Sequence, residues 1–302
     1  METHAAQVPT SGAATPSAPE VKGAWSPIVG PWSGLVLMAP LLVLLVAMVG
    51  YPLVKLAVDS LTTGDGIGNY ADAIADATVR KVLVSTVLAS VVVTVLAVAM
   101  GGLLAWYLRT VENPLLKAVL WLSVLLPVLM GTVVKNYAFV ILFAAEGPLN
   151  SFLDLFGLGP AEILYTSTAV IIGMTYTMIP YAVLAMYSVF ANFDLTLVTA
   201  ARSMGASRPR VMRTVVLPIA TPGLIATAAI VFAISLGFYV TPVLLGGAQA
   251  PFMALFVQDN ILQSFDYALA STSAVLLLLV AIVVMGAVLA MVGGKRLMQA
   301  FA

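Results

Sequence analysis

Six long runs of apolar side chains constrain the fold of this 302-residue chain more than any other feature. Each run supplies the roughly 20 residues that an α-helix needs to cross a ~30 Å hydrocarbon layer. Backbone amides in lipid must be satisfied within the spanning segment, and the sequence lacks the ten-residue alternation of a membrane barrel. We therefore predict an all-α integral membrane protein with six transmembrane helices. The runs cover approximately residues 35–54, 83–108, 115–143, 163–190, 219–246 and 268–292.

Charged residues make up only 9% of the chain and have a formal net charge of zero. The net charge therefore gives no reason to expect nucleic acid as a partner. The apolar surface of the chain is expected to contact membrane lipid. An N-terminus in the cytoplasm satisfies the positive-inside rule, so we predict a multi-pass membrane protein in that orientation. Most acidic residues then lie outside, which is either chance or a mild preference for cations. The basic residues placed inside are Lys22, Arg109, Lys117, Arg202, Arg208, Arg210, Arg213, Lys295 and Arg296.

The sequence shows no arrangement of residues typical of a catalytic or metal site. There is no cysteine, and the single histidine, His4, lies in the N-terminal segment. No glycine-rich phosphate loop of the Gly-x-x-x-x-Gly-Lys-Ser/Thr type is present either. We therefore expect no catalytic residue, no metal site and no cofactor bound by this chain. Any ATP chemistry has to come from another chain.

The domain organisation predicted from composition is simple. Residues 1–33 are rich in Ala, Pro, Ser and Thr, which predicts a disordered cytoplasmic tail. Residues 34–295 form one six-helix membrane domain, and 296–302 are a short cytoplasmic C-terminus. In the third apolar run, Pro127, Gly131 and Lys135 predict a break near mid-membrane or in its outer half.

The polar segment of about 191–219 is the main cytoplasmic feature, and its residues predict two short helices joined at a glycine bend. Asp194 is a suitable N-cap for a helix over 195–204, and Gly205 is suited to the C′ position that follows it. Ser207 is expected to cap the second helix, and Pro218 is expected to end it. We expect a loop of this shape to fit into a groove on a cytoplasmic protein.

An ordered motif lies within this segment. Thr199-Ala200-Ala201 is followed after three residues by Gly205, and Val215, Leu217 and Pro218 come after nine more. This pattern resembles the coupling loop of permease subunits in binding-protein-dependent type I ABC importers, which reads Glu-Ala-Ala, three residues, Gly, nine residues, Ile, one residue, Leu-Pro. Thr199 replaces the family's Glu, so a weaker or differently paired contact with the ATPase is expected. The resemblance assigns the coupling role to Thr199, Ala200, Ala201, Gly205, Arg208, Val215, Leu217 and Pro218.

The resemblance covers roughly residues 33–295, and the segment 239–247 is similar to the spermidine/putrescine branch of the family. It implies a second homologous permease subunit, two cytoplasmic ATPase subunits that use ATP and Mg, and a periplasmic or extracellular solute-binding protein. The implied solute is small and cationic, such as a polyamine. Importers of opines, phosphonates and related charged compounds share the segment, so these solutes remain alternatives.

Polar and aromatic residues at membrane depth are candidates for the solute pathway, because such groups are costly in lipid and face a cavity or another helix. Helix–helix hydrogen bonding is an equally good explanation for any one of them. Tyrosine faces would stabilise an ammonium by about 0.5–2 kcal/mol each. Lys135, by contrast, is expected to snorkel or to pair with an outer acid. The candidates are Asn136, Tyr137, Thr175, Tyr176, Ser235, Tyr239 and Thr241.

Two other classes of protein compete with this interpretation. An ion-driven secondary transporter also has intramembrane polar groups, but it needs no ATPase-docking loop, and the sequence shows no inverted repeat with paired broken helices. An intramembrane protease needs Ser/His or paired Asp residues at depth, and the apolar runs contain neither His nor paired Asp. The sequence therefore favours a transport subunit that is not an enzyme.

Overall fold

The computed structural model describes residues 31–247 and 250–292. The predicted tails lie almost entirely outside these ranges. All the regular secondary structure in the described ranges is helical, which confirms the all-α prediction. The helices are α1 (Pro31–Thr62), α2 (Gly68–Ala75), α3 (Ala77–Thr110), α4 (Pro114–Leu129), α5 (Thr132–Phe143), α6 (Pro148–Asp154), α7 (Ser167–Ala191), α8 (Thr196–Ser203), α9 (Arg208–Val211), a π-helical segment (Met212–Val216), α10 (Leu217–Leu236), α11 (Val240–Leu245), α12 (Met253–Leu262) and α13 (Tyr267–Val292).

The described residues supply five continuous helices that are long and apolar enough to span a membrane. A sixth span results if the bent pair Pro114–Leu129 and Thr132–Asp154 counts as one, with an angle of 105° between its halves. The bend falls at Met130 and Gly131, where the sequence predicted a break. Pro127 lies just before it and Gly131 serves as the N-cap of α5. The five continuous spans are Val36–Thr62, Ala77–Thr110, Ser167–Ala191, Arg208–Leu236 and Tyr267–Val288.

Side-chain caps fix where several helices begin. The Asp76 carboxylate accepts the backbone amides of Thr78 and Val79 at 2.6 and 3.1 Å and so starts α3. The hydrogen bonds from Val79 and Thr78 hold the pKa of Asp76 below its usual value. Asn113 caps α4 in the same way, with Pro114 in the first turn, where a missing amide costs nothing.

The core of the membrane domain lies where α3, α7 and α10 pack against one another. Small residues permit the closest approach. A Cβ atom on Gly101 of α3 would lie 2.7 Å from the Cβ of Ala182 and 3.1 Å from the backbone nitrogen of Val183, both on α7. Small residues let helix backbones approach within a membrane, where dispersion contacts replace the hydrophobic drive. Close packing of α3 against α7 therefore forms the centre of the membrane domain.

The fifth apolar run corrects the prediction of one helix over 219–246. Its helix ends at Leu236, the chain is irregular over Gly237, Phe238 and Tyr239, and α11 then begins at Val240. Glycine pays a high entropic cost in a helix, and Pro242 is acceptable only in the first turn of a new one. The chain therefore contains a second broken helix, and its short outer piece, α11, packs against α5.

The chain divides after Pro52 into two compact units. The described part of the first unit is the beginning of α1, whose apolar side chains, such as Leu37, Val43 and Met48, are exposed. The second unit begins at Leu53 and contains every site described below.

Candidate functional site

The candidate coupling loop begins with a well-formed short helix. The Asp194 carboxylate accepts the backbone amide of Thr196 at 2.9 Å, one residue ahead of the assigned cap. At the other end, the amide of Gly205 bonds to the carbonyl of Arg202 at 2.9 Å, and the amide of Ala206 bonds to the carbonyl of Ala201 at 3.1 Å. These two bonds form a Schellman motif. Gly205 has a φ of +84°, as its predicted C′ position requires.

The inner face of this loop packs against a cluster of buried apolar side chains. Ala201, Val211 and Val216 are buried in one cluster with Phe190 of α7 and with Phe193, which lies two residues beyond that helix. The indole of Trp106 on α3 meets both phenylalanine rings edge-on, with centroids 5.3 and 5.7 Å apart. Movement of the loop is therefore linked to α3 and α7 through side-chain packing.

Beside this cluster, a hydrogen bond makes a second connection between α3 and α7. The Nε of Arg109, in the last turn of α3, donates to the carbonyl oxygen of Phe190 at 3.1 Å. A cation near the last carbonyls of a helix also interacts favourably with the helix dipole. The sequence analysis assigned Arg109 only a role in membrane topology and did not predict this contact.

The outer face of the loop is open to a partner. Thr199, Ala200, Arg202 and Arg208 are exposed, and Met204 at the bend is 82% exposed. The Thr199 hydroxyl donates to the carbonyl of Leu195 at 3.3 Å, so it is engaged within its own helix. Position 199 therefore offers no charge where the family has a carboxylate.

A cavity of about 520 Å³ lies between the end of α3 and the loop. Its lining combines aromatic and charged groups, including Trp106, Glu112, Arg202 and Arg208. The arginines therefore do more than set topology, because they form the wall of a recess beside the loop.

The second half of the loop corrects the prediction that Pro218 ends a short helix. The helix that starts at Arg208 continues without interruption to Leu236. The π-helical segment that contains Val215 widens the turn just before Leu217 and Pro218. Pro218 then occupies the first turn of α10, where its missing amide and its ring are tolerated. Ser207 lies at the N-cap of α9, but its hydroxyl makes no capping hydrogen bond.

The pathway candidates lie near the two broken helices and α7. Asn136 of α5 and Thr241 of α11 converge on Gly173 of α7. A Cβ atom on Gly173 would lie 3.0 Å from the Thr241 Cγ2 atom and 3.7 Å from the Asn136 Oδ1 atom. It would also lie 2.5 Å from the Leu245 Cδ1 atom. Gly173 is therefore required for close packing at this junction, and no pattern in the sequence indicates this requirement.

The candidates differ in accessibility. Four of them are buried and keep a polar atom without a hydrogen-bond partner among the described residues: Asn136 Oδ1, Thr175 Oγ1, Ser235 Oγ and Thr241 Oγ1. Unpaired buried polar atoms are costly, so each marks a place where a solute, water or rearranged helix would form a bond. The tyrosines are more open. Tyr137 and Tyr239 are 55% and 38% exposed, and the half-buried ring of Tyr176 meets Phe139 edge-on at 5.1 Å.

The placement of Lys135 contradicts the expectation that it snorkels or pairs with an outer acid. Its side chain is only 5% exposed, and it forms no ion pair within the described ranges. It lines a cavity of about 190 Å³ together with Met130, Phe139 and Tyr176. A charge at membrane depth costs roughly 2.5–3.5 kcal/mol on insertion scales, so such residues are rare and functional by default.

Taken together, a helical membrane domain, two broken helices and a protruding two-helix loop define the architecture of a transport subunit. The chain belongs to the family of binding-protein-dependent transport system inner membrane components, whose model matches residues 97–297. That range contains the whole loop and both helix breaks. The protein is accordingly a multi-pass inner-membrane permease subunit of an ABC importer, and it is not an enzyme.

Curated relatives are similar over most of their length. The spermidine/putrescine transport system permease protein PotB of Escherichia coli K12 is 27% identical over 202 residues, which are 66% of this chain and 73% of that protein. The sulfate transport system permease protein CysT of Salmonella typhimurium strain LT2 is 30% identical over 217 residues, 69% of this chain and 75% of the relative. The named solutes of these two relatives carry opposite charges.

Solved structures share the fold at low sequence identity. A bacterial alginate ABC transporter in complex with an alginate pentasaccharide-bound periplasmic protein contains a chain that matches with a TM-score of 0.74 and 18% identity, covering 88% of this chain and 95% of that one. An inward-facing methionine ABC transporter matches with a TM-score of 0.55, also at 18% identity, covering 71% and 94%. These matches confirm the permease fold.

Proposed function

We propose that this permease forms half of a translocation pathway for a small charged solute and couples it to ATP hydrolysis in partner subunits. The observation that carries the proposal is the loop formed by α8, the Gly205 bend and α9. Its outer face is exposed, while its inner face is packed on Phe190 and Phe193. Because the loop is packed in this way, it transmits movement of a bound partner to α3 and α7.

The proposed assembly contains a second homologous permease, two cytoplasmic ATPase subunits that bind ATP and Mg, and an external solute-binding protein. The alginate transporter with its bound periplasmic protein supports the last of these by analogy. The loop would face the cytoplasm, in agreement with Arg202, Arg208, Arg210 and Arg213 and the positive-inside rule. The N-terminus would then also be cytoplasmic.

A polyamine is the first candidate for the solute. It is supported by the similarity to PotB and by the accessible rings of Tyr137 and Tyr239 beside the two helix breaks. An aromatic face attracts an ammonium group through its quadrupole. The solute contacts would then combine these rings with the unpaired oxygens of Asn136 and Thr241.

A solute with an anionic group, such as an opine or a phosphonate, is the second candidate. The buried side chain of Lys135 favours it, and so does the similarity to the sulfate permease CysT. An ion-driven secondary transporter gains some support from the two broken helices, of which the sequence predicted only the first. The membership in the binding-protein-dependent family outweighs that support.

The first experiment is a mild-detergent pull-down of the chain from its native membrane, with mass spectrometry of the proteins that accompany it. We expect a nucleotide-binding subunit and a second six-helix permease. Recovery of this chain alone, in a transport-competent form, would refute the proposal and favour a secondary transporter.

The solute class is tested next with the assembled transporter and its binding protein in proteoliposomes. Radiolabelled spermidine, methylphosphonate and sulfate are offered separately, with ATP enclosed in the lumen or left out. ATP-dependent accumulation of spermidine supports the polyamine assignment. Accumulation of an anion instead would refute that assignment while leaving the importer proposal intact.

A further inference from the structure

The cavity beside Lys135 combines one basic side chain with an otherwise uncharged lining. The lysine follows the break between α4 and α5, and its cavity of about 190 Å³ is also lined by Met130, Ala138, Phe139, Leu142 and Tyr176. These neighbours are apolar or aromatic. No acidic side chain lines the cavity, and α4, α5 and α7 contain no acidic residue at all.

Lys135 therefore has no counter-ion among the described residues, although the residue as a whole is only 5% exposed. Buried charges in membrane proteins pair with one another, with backbone carbonyls or with groups in a pathway. No carbonyl takes that role here, since Lys135 donates no side-chain hydrogen bond within the described ranges. The partner must come from elsewhere.

The surroundings of the cavity allow a group to reach it. Leu129 and Val134, on either side of the break, are 85% and 60% exposed, so the surface of the chain is open there. The volume is several times the roughly 30 Å³ that one water takes up in the liquid, which is room for a carboxylate or a phosphonate head group. Tyr176 is the other lining residue whose side chain carries a hydrogen-bonding group.

We infer that the Lys135 cavity receives an anionic oxygen group supplied from outside this chain. The group is either a carboxylate of the second permease or the anionic head of the solute, because both offer the same chemistry to an ammonium. This inference rests on the proposed function, which provides both sources. The carboxylate source is compatible with a polyamine solute, whereas the solute source is not.

Carbodiimide cross-linking of the assembled transporter tests the first source. In native membranes, dicyclohexylcarbodiimide activates a carboxylate within the apolar layer, and the activated carbonyl forms an amide with a neighbouring lysine as the urea leaves. Mass spectrometry of the digested complex then identifies any peptide joined to Lys135. A join to the second permease supports the inference and identifies that permease as the source.

Protection and substitution test the second source. In wild-type complexes, methylphosphonate and sulfate are used as probes for protection of Lys135 against reductive methylation, which reads the site without a variant that has to fold. Lys135→Met should lower solute uptake roughly tenfold or more, because removal of one partner leaves the other charge unpaired. Lys135→Arg should retain most of the uptake, and Lys81→Met, at an exposed lysine, should be unchanged.

The outcomes distinguish the two sources of the anionic group from each other and from failure of the inference. Protection by a probe without a cross-link supports the inference and assigns the solute as the source. No cross-link and no protection in the wild type would overturn it, as would wild-type uptake by Lys135→Met. Recovery of the ATPase and the second permease in the same preparation shows that the proposed function stands even if this inference fails.

Discussion

The bend at Gly205 gives the sharpest test of the coupling loop, because only the backbone is at stake there. Its φ is +84°, and a Cβ atom built at this position meets nothing within 4 Å. Replacement by valine therefore adds strain without a steric clash. An L-residue in the left-handed region costs roughly 1–2 kcal/mol, and a β-branched side chain tolerates this region worst. That cost reduces the population of the bent loop by a factor of about 5–30.

The assay is solute-stimulated ATPase activity and uptake by the complete transporter in proteoliposomes. We expect Gly205→Val to lower uptake by about the same factor while the amount of assembled complex stays near wild type. Gly205→Asn should fall between the two, because asparagine adopts the left-handed conformation more readily than other residues. Basal ATPase activity without solute should change less than uptake, since the defect lies in coupling.

Gly157 provides a matched control for this experiment. It also has a positive φ, +67°, and a Cβ atom there also meets nothing within 4 Å, but it lies beyond α6 and away from the loop. Gly157→Val carries the same kind of strain and should leave coupling unchanged. Normal uptake by Gly205→Val, or an equal loss in both variants, would refute the claim that the bent loop transmits the ATPase movement.

Three further predictions concern the candidate pathway, the packing of α3 against α7, and helix α8 of the loop. Tyr239→Ala should slow uptake while assembly and ATPase association stay normal, as measured by initial uptake rates and pull-down, because its accessible ring lies beside the second helix break. Gly101→Val should lower the unfolding free energy by about 1–3 kcal/mol, seen as a lower Tm of the purified chain, because its Cβ would meet Ala182 at 2.7 Å. The Asp194 carboxylate accepts the amide of Thr196, which holds the pKa of Asp194 below its ordinary value of 3.8. Its stabilisation is therefore fully present above that ordinary value and lost as pH falls through the lower folded pKa. The Tm difference between wild type and Asp194→Ala should persist from pH 8 to about pH 5 and vanish in strong acid.

Each of these predictions has an outcome that contradicts it. Unchanged uptake by Tyr239→Ala removes that ring from the pathway. Gly102→Ala is the control for Gly101→Val, because a Cβ atom on Gly102 meets nothing within 4 Å, and equal Tm values for the two variants would contradict the close-packing argument. A Tm difference for Asp194→Ala that already disappears near pH 6 would mean that another group is responsible.

The local parts of the fold were predictable because local chemistry determines them. Asp194, Gly205 and the break near Gly131 each act through their own backbone or the adjacent turn, and the structure has a cap, a positive φ and a bend at these places. The end of the second loop helix was mispredicted. A π-helical turn has no sequence signature comparable to a proline, so Pro218 was read as a stop when it lies in the first turn of α10.

Features that depend on distant packing could not be read from the sequence. Gly173 is required only because Leu245 and Thr241 lie against it, and these residues are about 70 positions away in the chain. The long stem of Lys135 suggests snorkelling, but its low exposure in the fold depends on neighbours in the folded domain, such as Phe139 and Tyr176, which line the same cavity. The pathway candidates were chosen by residue type and depth. Their unpaired oxygens became visible only once the neighbouring helices were in place.

The correction at Pro218 changes how the loop would act on the pathway. A helix that ended at Pro218 would leave a flexible joint between the loop and the membrane domain. Instead, one continuous helix of 29 residues runs from Arg208 to Leu236, roughly 43 Å at 1.5 Å per residue. Its far end is the break at Gly237, next to Tyr239 and the buried Thr241. Under the proposed function, a displacement of the loop would reach the irregular segment that joins α10 to α11, and we expect the change in packing that opens or closes the pathway at this break.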